Sequence, residues 1–266
     1  MTTGFEVTSL TKMRMLAPWR TQELHGHDRH HFYWITRGQG RVIVGCINRG
    51  YGPNTAIFVP ARTVMALELP AQIQGLVLQM PTQAPLDLPT QSLHLRISNI
   101  EAQGNITSYI ERIERELVGQ ATAMDRALTA YALLVSTWIS REEQRQDGTV
   151  RRLKSHILVE RFAALLEGSF HQGFGVADYA ESLGVTPTHL SRICREAAGR
   201  PAHALIHERV MHEARVLLSD TTLSAKAISE RLGFSSPAYF TRAFAQYTGA
   251  TPGEFRRPGV RRVASA

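Results

Sequence analysis

Between Gly184 and Gly249 one local pattern is written twice, and no other stretch of the 266 residues narrows the possible folds as far. The first copy reads Gly184-Val185-Thr186-Pro187-Thr188-His189-Leu190-Ser191-Arg192; the second reads Gly233-Phe234-Ser235-Ser236-Pro237-Ala238-Tyr239-Phe240-Thr241-Arg242. Ahead of the first glycine Val176, Ala180 and Leu183 recur at helical spacing, and ahead of the second Ile228 and Leu232 do, so each glycine closes an amphipathic helix. A left-handed turn costs little at Gly184 and Gly233 because glycine has no Cβ. Thr186 and Ser235 supply side-chain oxygens able to cap the helices that follow, and Pro187 suits a first helical turn. A helix, a glycine turn and a capped second helix form a helix-turn-helix, and the chain is expected to hold two.

Spacing supports a duplication. Gly184 and Gly233 stand 49 positions apart and Gly199 and Gly249 stand 50, so the copies keep step apart from one inserted residue. From about Arg200 to Ser219, Ala204, Leu205, Val210, Met211, Ala214, Leu217 and Leu218 make an apolar stripe, with His207, Glu208 and Arg215 on a charged one. Such a connector is about 30 Å long at 1.5 Å per residue. The repeat of B-DNA is ~34 Å, so a rigid rod of that length sets two reading helices in successive major grooves on one face of the duplex.

These residues resemble the C-terminal domain of AraC/XylS-type transcription regulators, over roughly Ser155 to Arg257 and including the ending Gly249-Ala250-Thr251-Pro252-Gly253-Glu254-Phe255-Arg256-Arg257. The resemblance implies double-stranded promoter DNA as partner. Cys194 and Ser229 depart from it, standing where the family has an aromatic and an alanine, which implies local repacking. In a helix-turn-helix the second helix enters the major groove. Leu190 and Ile193 must face the core, leaving Thr188, Ser191, Arg192 and Arg195 outward. In the second copy Phe240 and Phe244 turn inward, leaving Ser236, Ala238, Tyr239, Thr241 and Arg242. Arg192 and its counterpart Arg242 suit bidentate contact with guanine, the alternative being phosphate contact without sequence information.

Charge is distributed accordingly. Of the net +7, residues from Arg151 onward carry 16 Lys+Arg against 10 Asp+Glu, whereas the first 150 carry 14 against 13. Phosphate neutralisation would therefore fall on the half with the repeated motif, although an excess of this size also fits an ordinary solvated surface. No run of about 18 apolar residues and no signal peptide is read in the chain, so a cytoplasmic protein with no membrane partner is expected. Cys46 and Cys194 form no CxxC spacing and read as buried thiols.

The first 89 residues read as short strands, 31–36, 41–44, 56–60 and 73–78, separated by Gly, Pro and Asn turns. The order His-x-His, apolar strand, Arg-Gly-Gln-Gly-Arg-Val and Ile-Phe-Val-Pro resembles the cupin-like sensor domain that precedes many AraC-type DNA-binding domains. The resemblance implies a pocket for a small-molecule effector. His25, His27, His31, Tyr33 and Arg37 share a parity or a cluster and are its candidate lining; His30 lies beside them. Compared with metal-binding cupins, two ligand positions are occupied by His31 or Phe32 and by about Met65, so neither metal nor cofactor is expected, and the alternative to an effector pocket is a purely structural histidine cluster. Further on, Ile106, Ile110, Ile113 and Leu117 form a helical stripe, and a second helix carries Met124, Leu128, Tyr131, Val135 and Trp138; the first stripe is the candidate seam of a homodimer, the alternative being that both helices pack on their own domain. The polar stretch Arg141 to Thr149 reads as the interdomain linker.

The expected fold class is α+β with two domains. A cupin-like β-barrel or sandwich with two C-terminal helices precedes an all-α domain holding two helix-turn-helix motifs on a long helix. Boundaries fall at 1–100 for the sensor, 101–148 for the helical dimerisation segment and linker, and 149–260 for the DNA-binding domain. The expected function is a non-enzymatic, ligand-responsive transcription regulator that engages RNA polymerase if it activates. Two alternatives stand beside it: a metal-dependent cupin enzyme with an appended helical domain, and a dimeric DNA binder without effector.

Overall fold

The computed structural model describes residues 4–119, 122–146 and 154–257. The N-terminal part runs β1 (Glu6–Ser9), α1 (Leu10–Arg14), α2 (Trp19–Gln22), β2 (His30–Arg37), β3 (Gly40–Val44), β4 (Ile47–Tyr51), β5 (Thr55–Val59), β6 (Met65–Leu67), β7 (Gln74–Met80) and β8 (Leu93–Arg96). Two open antiparallel sheets result, a five-stranded one in the order β1-β7-β2-β5-β8 and a three-stranded one in the order β4-β3-β6. The architecture is a sandwich, and the closed barrel that was the other expectation does not form. The four expected strand runs are β2, β3, β5 and β7, while β8 lies beyond the expected β region.

Side-chain alternation along β2 explains the layers. Tyr33 and Ile35 point between the sheets, where they meet Val42, Ile57, Met65, Leu67 and Val77. Phe32 and Trp34 point the other way, under α3 (Ile100–Gly119) and α4 (Met124–Gln146). The Trp34 indole N–H donates to Thr107 Oγ1 at 2.9 Å and that of Trp138 to the Ala102 carbonyl at 3.0 Å, so neither buried indole is left unpaired. Against this face Ile106, Ile110 and Ile113 are 0% exposed and Leu117 packs alongside. Ile106, Ile110 and Ile113 of the stripe expected to form a dimer seam hold α3 to its own sheet, while Leu117 stays half-buried at its end. Nor does the linker begin at Arg141: α4 continues to Gln146, with Glu142 buried and paired to Arg145. The rest of the expected linker, and the tail from Pro258, lie outside the described residues.

Next come α5 (Lys154–Ser169), a 3-10 turn over Phe170–Gln172, α6 (Val176–Leu183), α7 (Pro187–Ala198), α8 (Ala202–Asp220), α9 (Ala225–Arg231), α10 (Pro237–Thr248) and α11 (Pro252–Arg256). Two apolar cores run across the boundary with the N-terminal part. The two-residue β3–β4 turn has Gly45 at φ 57° and Cys46 at φ 60°, the paired left-handed conformation that matches a hairpin's twist. Its tip enters a core with Val159, Phe162, Leu190, Ile193 and Cys194, alongside Leu24, Val64 and Ala66. Burial pushes both thiols up, that of Cys194 to about 12, so neither is a ready nucleophile. On the other side Trp19 joins Met211, Leu218, Phe240, Phe244 and Phe255. The N-terminal part therefore touches the cores of both helix-turn-helix motifs.

Candidate nucleic-acid interface and domain boundary

Both motifs are built as the sequence requires. The α6–α7 turn carries Gly184 at φ 69°, and Gly233 has φ 72° at the equivalent place between α9 and α10. Thr186 caps α7 by accepting the His189 N–H at 3.2 Å, with Pro187 in the first turn. For α10 the cap is Ser236, accepting the Tyr239 N–H at 3.2 Å, with Pro237 next. The expected cap, Ser235, is one residue early, and Ser236 has its hydroxyl engaged in capping. Each second helix has 12 residues and closes on a left-handed glycine, Gly199 or Gly249. Leu190, Ile193 and Cys194 fill the core beneath α7, as Phe240 and Phe244 do beneath α10. Ser229 is fully buried and its hydroxyl has no partner among the described residues. Ser229→Ala is accordingly expected to leave stability unchanged or raise it by up to about 1 kcal/mol, read from the urea unfolding midpoint.

On the outer faces Thr188, Arg192 and Arg195 are exposed and Ser191 is half-buried on α7; Ala238, Tyr239 and Arg242 are exposed and Thr241 is half-buried on α10. Arg192 is held in place, its guanidinium donating to Glu196 at 2.6 Å and lying 3.2 Å from His189 Nδ1. Arg242 has no ion-pair partner among the described residues. Tyr239 is 52% exposed beside Phe234, and the Thr241 hydroxyl donates to the Pro237 carbonyl at 2.9 Å. Between the motifs α8 runs unbroken over 19 residues, a length of about 28 Å.

The charged stripe expected on α8 is not solvated. Glu208, Arg209 and Arg215 are buried, and each finds a partner across or beside the domain boundary. Glu208 accepts the Leu24 N–H at 3.0 Å and pairs with Arg200. Arg209, 4% exposed, reaches Glu167 at 2.7 Å and Glu213 at 3.0 Å and lies 3.8 Å over the Phe170 ring. Arg215 reaches Glu23 at 2.6 Å, and Arg20 reaches Asp220 at 2.6 Å. Burial pushes the Glu23 carboxyl up to about 7, outweighing the guanidinium of Arg215. Buried charges need such partners; their signal was present in the sequence as acidic and basic residues, but the pairs are up to 200 positions apart.

Beside these pairs lies a cavity of about 750 Å³ lined by His25, His27, His31, His212, Lys12 and Arg20, among others. Three of the expected effector residues meet there. The strand is broken before His30, so His25 arrives by an isolated bridge to Met65 instead of by strand alternation. Ring centroids are 3.9 Å apart for His27 and His31, 4.7 Å for His25 and His27, and 5.0 Å for His25 and His212. His212, on α8, is the member sequence reading missed. Tyr33 lies deeper, its hydroxyl 3.0 Å from His31 Nδ1 and donating to Met65 Sδ at 3.2 Å. Arg37 is exposed at the far end of β2, beyond a bulge at Ile35, and does not belong to the site. Burial is the first cause of lowered basicity in all four rings: His25 falls to about 4, His31 to about 3, His212 to about 2, and His27 well below its ordinary value.

A helix-turn-helix domain family matches residues 179–258. Among curated proteins, the xylose operon regulatory protein of Escherichia coli (strain K12) is 34% identical over 85 residues, 32% of this chain and 22% of its own length. The HTH-type transcriptional regulator GlxA of Rhizobium meliloti (strain 1021) is 31% identical over 144 residues, 52% of this chain and 44% of its own. The chain thus spans less than half the length of these relatives. Wild-type ToxT from Vibrio cholerae strain SCE256, solved with unsaturated fatty acid bound, superposes over 95% of this chain and 94% of that one at 15% identity and a TM-score of 0.45, too loose a likeness to carry an argument. Duplicated capped motifs on an unbroken connector, matched over residues 179–258 by the helix-turn-helix domain family and by segments of these curated regulators, make the C-terminal part of this chain a helix-turn-helix DNA-binding domain similar to theirs.

Proposed function

We propose that the chain binds a specific promoter site through α7 and α10 and is controlled by a small-molecule effector held at the domain boundary. The observation that carries the DNA reading is the pair of exposed helix faces on one continuous rod of about 28 Å, near the ~34 Å groove repeat. Arg192 and Arg242 read bases, and Thr188, Ser191, Arg195, Ala238, Tyr239 and Thr241 border them. Arg192→Ala is expected to relax base preference in one block of the site and Arg242→Ala in the other, each costing about 1–3 kcal/mol. Selection of bound duplexes from a random pool checks this. Uniform weakening with preference unchanged makes both arginines phosphate contacts and refutes the assignment.

The effector reading rests on the cavity that His25, His27 and His31 share with His212. A ligand there touches both parts of the chain, and it shifts the protein only by its differential affinity for docked and undocked forms. Such a ligand raises the melting temperature, so a metabolite screen by thermal shift tests it. We also read the chain as a cytoplasmic homodimer and an activator that contacts RNA polymerase. With the α3 stripe committed to its own core, the exposed Leu133 and Leu134 of α4 are the apolar surface offered to a second copy.

A further inference from the structure

The four histidines sit where the N-terminal part meets the helix that carries both reading motifs. His25, His27 and His31 come from one side, His212 from α8 on the other, and their rings form a continuous file at 3.9, 4.7 and 5.0 Å. His25 Nδ1 lies 2.7 Å from the Glu23 carbonyl, and so carries the hydrogen there. His27 Nε2 reaches no partner among the described residues, and His212 faces the Arg20 backbone. The groups that favour an imidazolium here are main-chain ones, those of Glu23 at His25 and of Arg20 at His212, and burial outweighs both. The nearby carboxylates of Glu167 and Glu213 are held by Arg209, and Glu6 lies 3.6 Å from Arg29. Arg20 is bound to Asp220, Lys12 lines the cavity, and Asp28 is exposed at its mouth. Arg209 acts on His25, His27 and His212 as a like charge, as do Arg20 on His212 and Arg29 and His30 on His31.

We propose that this histidine file makes domain docking proton-sensitive: mild acid releases the N-terminal part from α8, freeing the DNA-reading half. The sign follows from linkage. Docking holds the four rings neutral, whereas in the undocked form they titrate near their ordinary value of ~6.5. The undocked form therefore takes up more protons, and docking weakens as pH falls below that value. Between pH 7.5 and 5.5 each histidine contributes roughly tenfold to the opening constant. Glu23 acts in the opposite direction, because its raised carboxyl takes up a proton in the docked form first; over the same interval it offsets about 25-fold. The net expectation is opening favoured a few hundredfold at pH 5.5.

The amide of Leu24, bonded across the boundary to Glu208, reports opening by hydrogen exchange. In the full-length chain its protection, corrected for intrinsic exchange, is expected to fall a few hundredfold between pH 7.5 and 5.5, while the β2 amides remain better protected than it. His212→Phe keeps a ring against Trp19 and His25 and removes one titrating group, so its fall is expected to be about tenfold smaller. His27→Gln serves the same purpose should the first variant not fold. Protection of Leu24 that is unchanged with pH, or that falls equally in wild type and variants, overturns the proposal.

Discussion

Replacing Gly233 by alanine is expected to lower stability by about 3–5 kcal/mol, where the equivalent change at Gly184 costs only about 1–2 kcal/mol. Both glycines have left-handed backbone, φ 72° and 69°, and an L side chain pays the same steric penalty at each. Their surroundings differ. A Cβ at Gly184 meets open space, but one at Gly233 overlaps the Gly173 nitrogen, the Gln172 carbonyl carbon and the His171 carbonyl oxygen. Two segments of the chain cross there backbone on backbone, and Gly173, at φ 73°, is blocked in turn by the Gly233 carbonyl. No flexible side chain is available to yield. Urea unfolding of the two variants checks the comparison, and equal midpoint shifts at constant m-value would refute the crossing as the cause.

Arg209→Met is expected to cost about 3–5 kcal/mol, because it leaves a carboxylate without its counter-charge in a dry place. Arg209 is 4% exposed and Glu167 12%, and the Glu167 carboxylate packs so closely on Gly26 that a Cβ there would collide with it. Removing both charges, Arg209→Met with Glu167→Leu, is expected to recover most of the loss, since an apolar pair of similar volume removes the desolvation cost together with the attraction. Denaturant titration of wild type, single and double variants forms the test. A double variant as unstable as the single one shows that packing against Phe170, not charge compensation, is what Arg209 supplies.

How far the sequence was legible depended on whether a feature is local. Gly184, Gly233, Thr186 and Pro187 declare their turns and caps within a few positions, so both motifs and the connector were readable. Only the second cap shifted, from Ser235 to Ser236, because two serines stood side by side. Apolar runs gave β2, β3, β5 and β7, but β8 carries Leu93-His94-Leu95-Arg96, too short and mixed to stand out. Periodicity found the α3 stripe without naming its partner: an apolar face says only that something covers it, and here the covering is the chain's own sheet. The histidine cluster was partly legible from His25, His27 and His31. His212 was not, since on α8 it reads as one more polar residue of a connector, and only tertiary packing brings it 5.0 Å from His25. The buried pairs of Glu208, Arg209 and Arg215 escaped for the same reason, and with them the docking of the N-terminal part onto the rod.

The central claim is that α8 fixes two reading helices at one groove repeat. Selecting bound sequences from random duplex DNA with the full-length chain tests it most directly. The account predicts two short conserved blocks whose centres lie about 10 base pairs apart, one turn of the duplex. A single block, or two blocks whose spacing varies freely among the selected sequences, would contradict it.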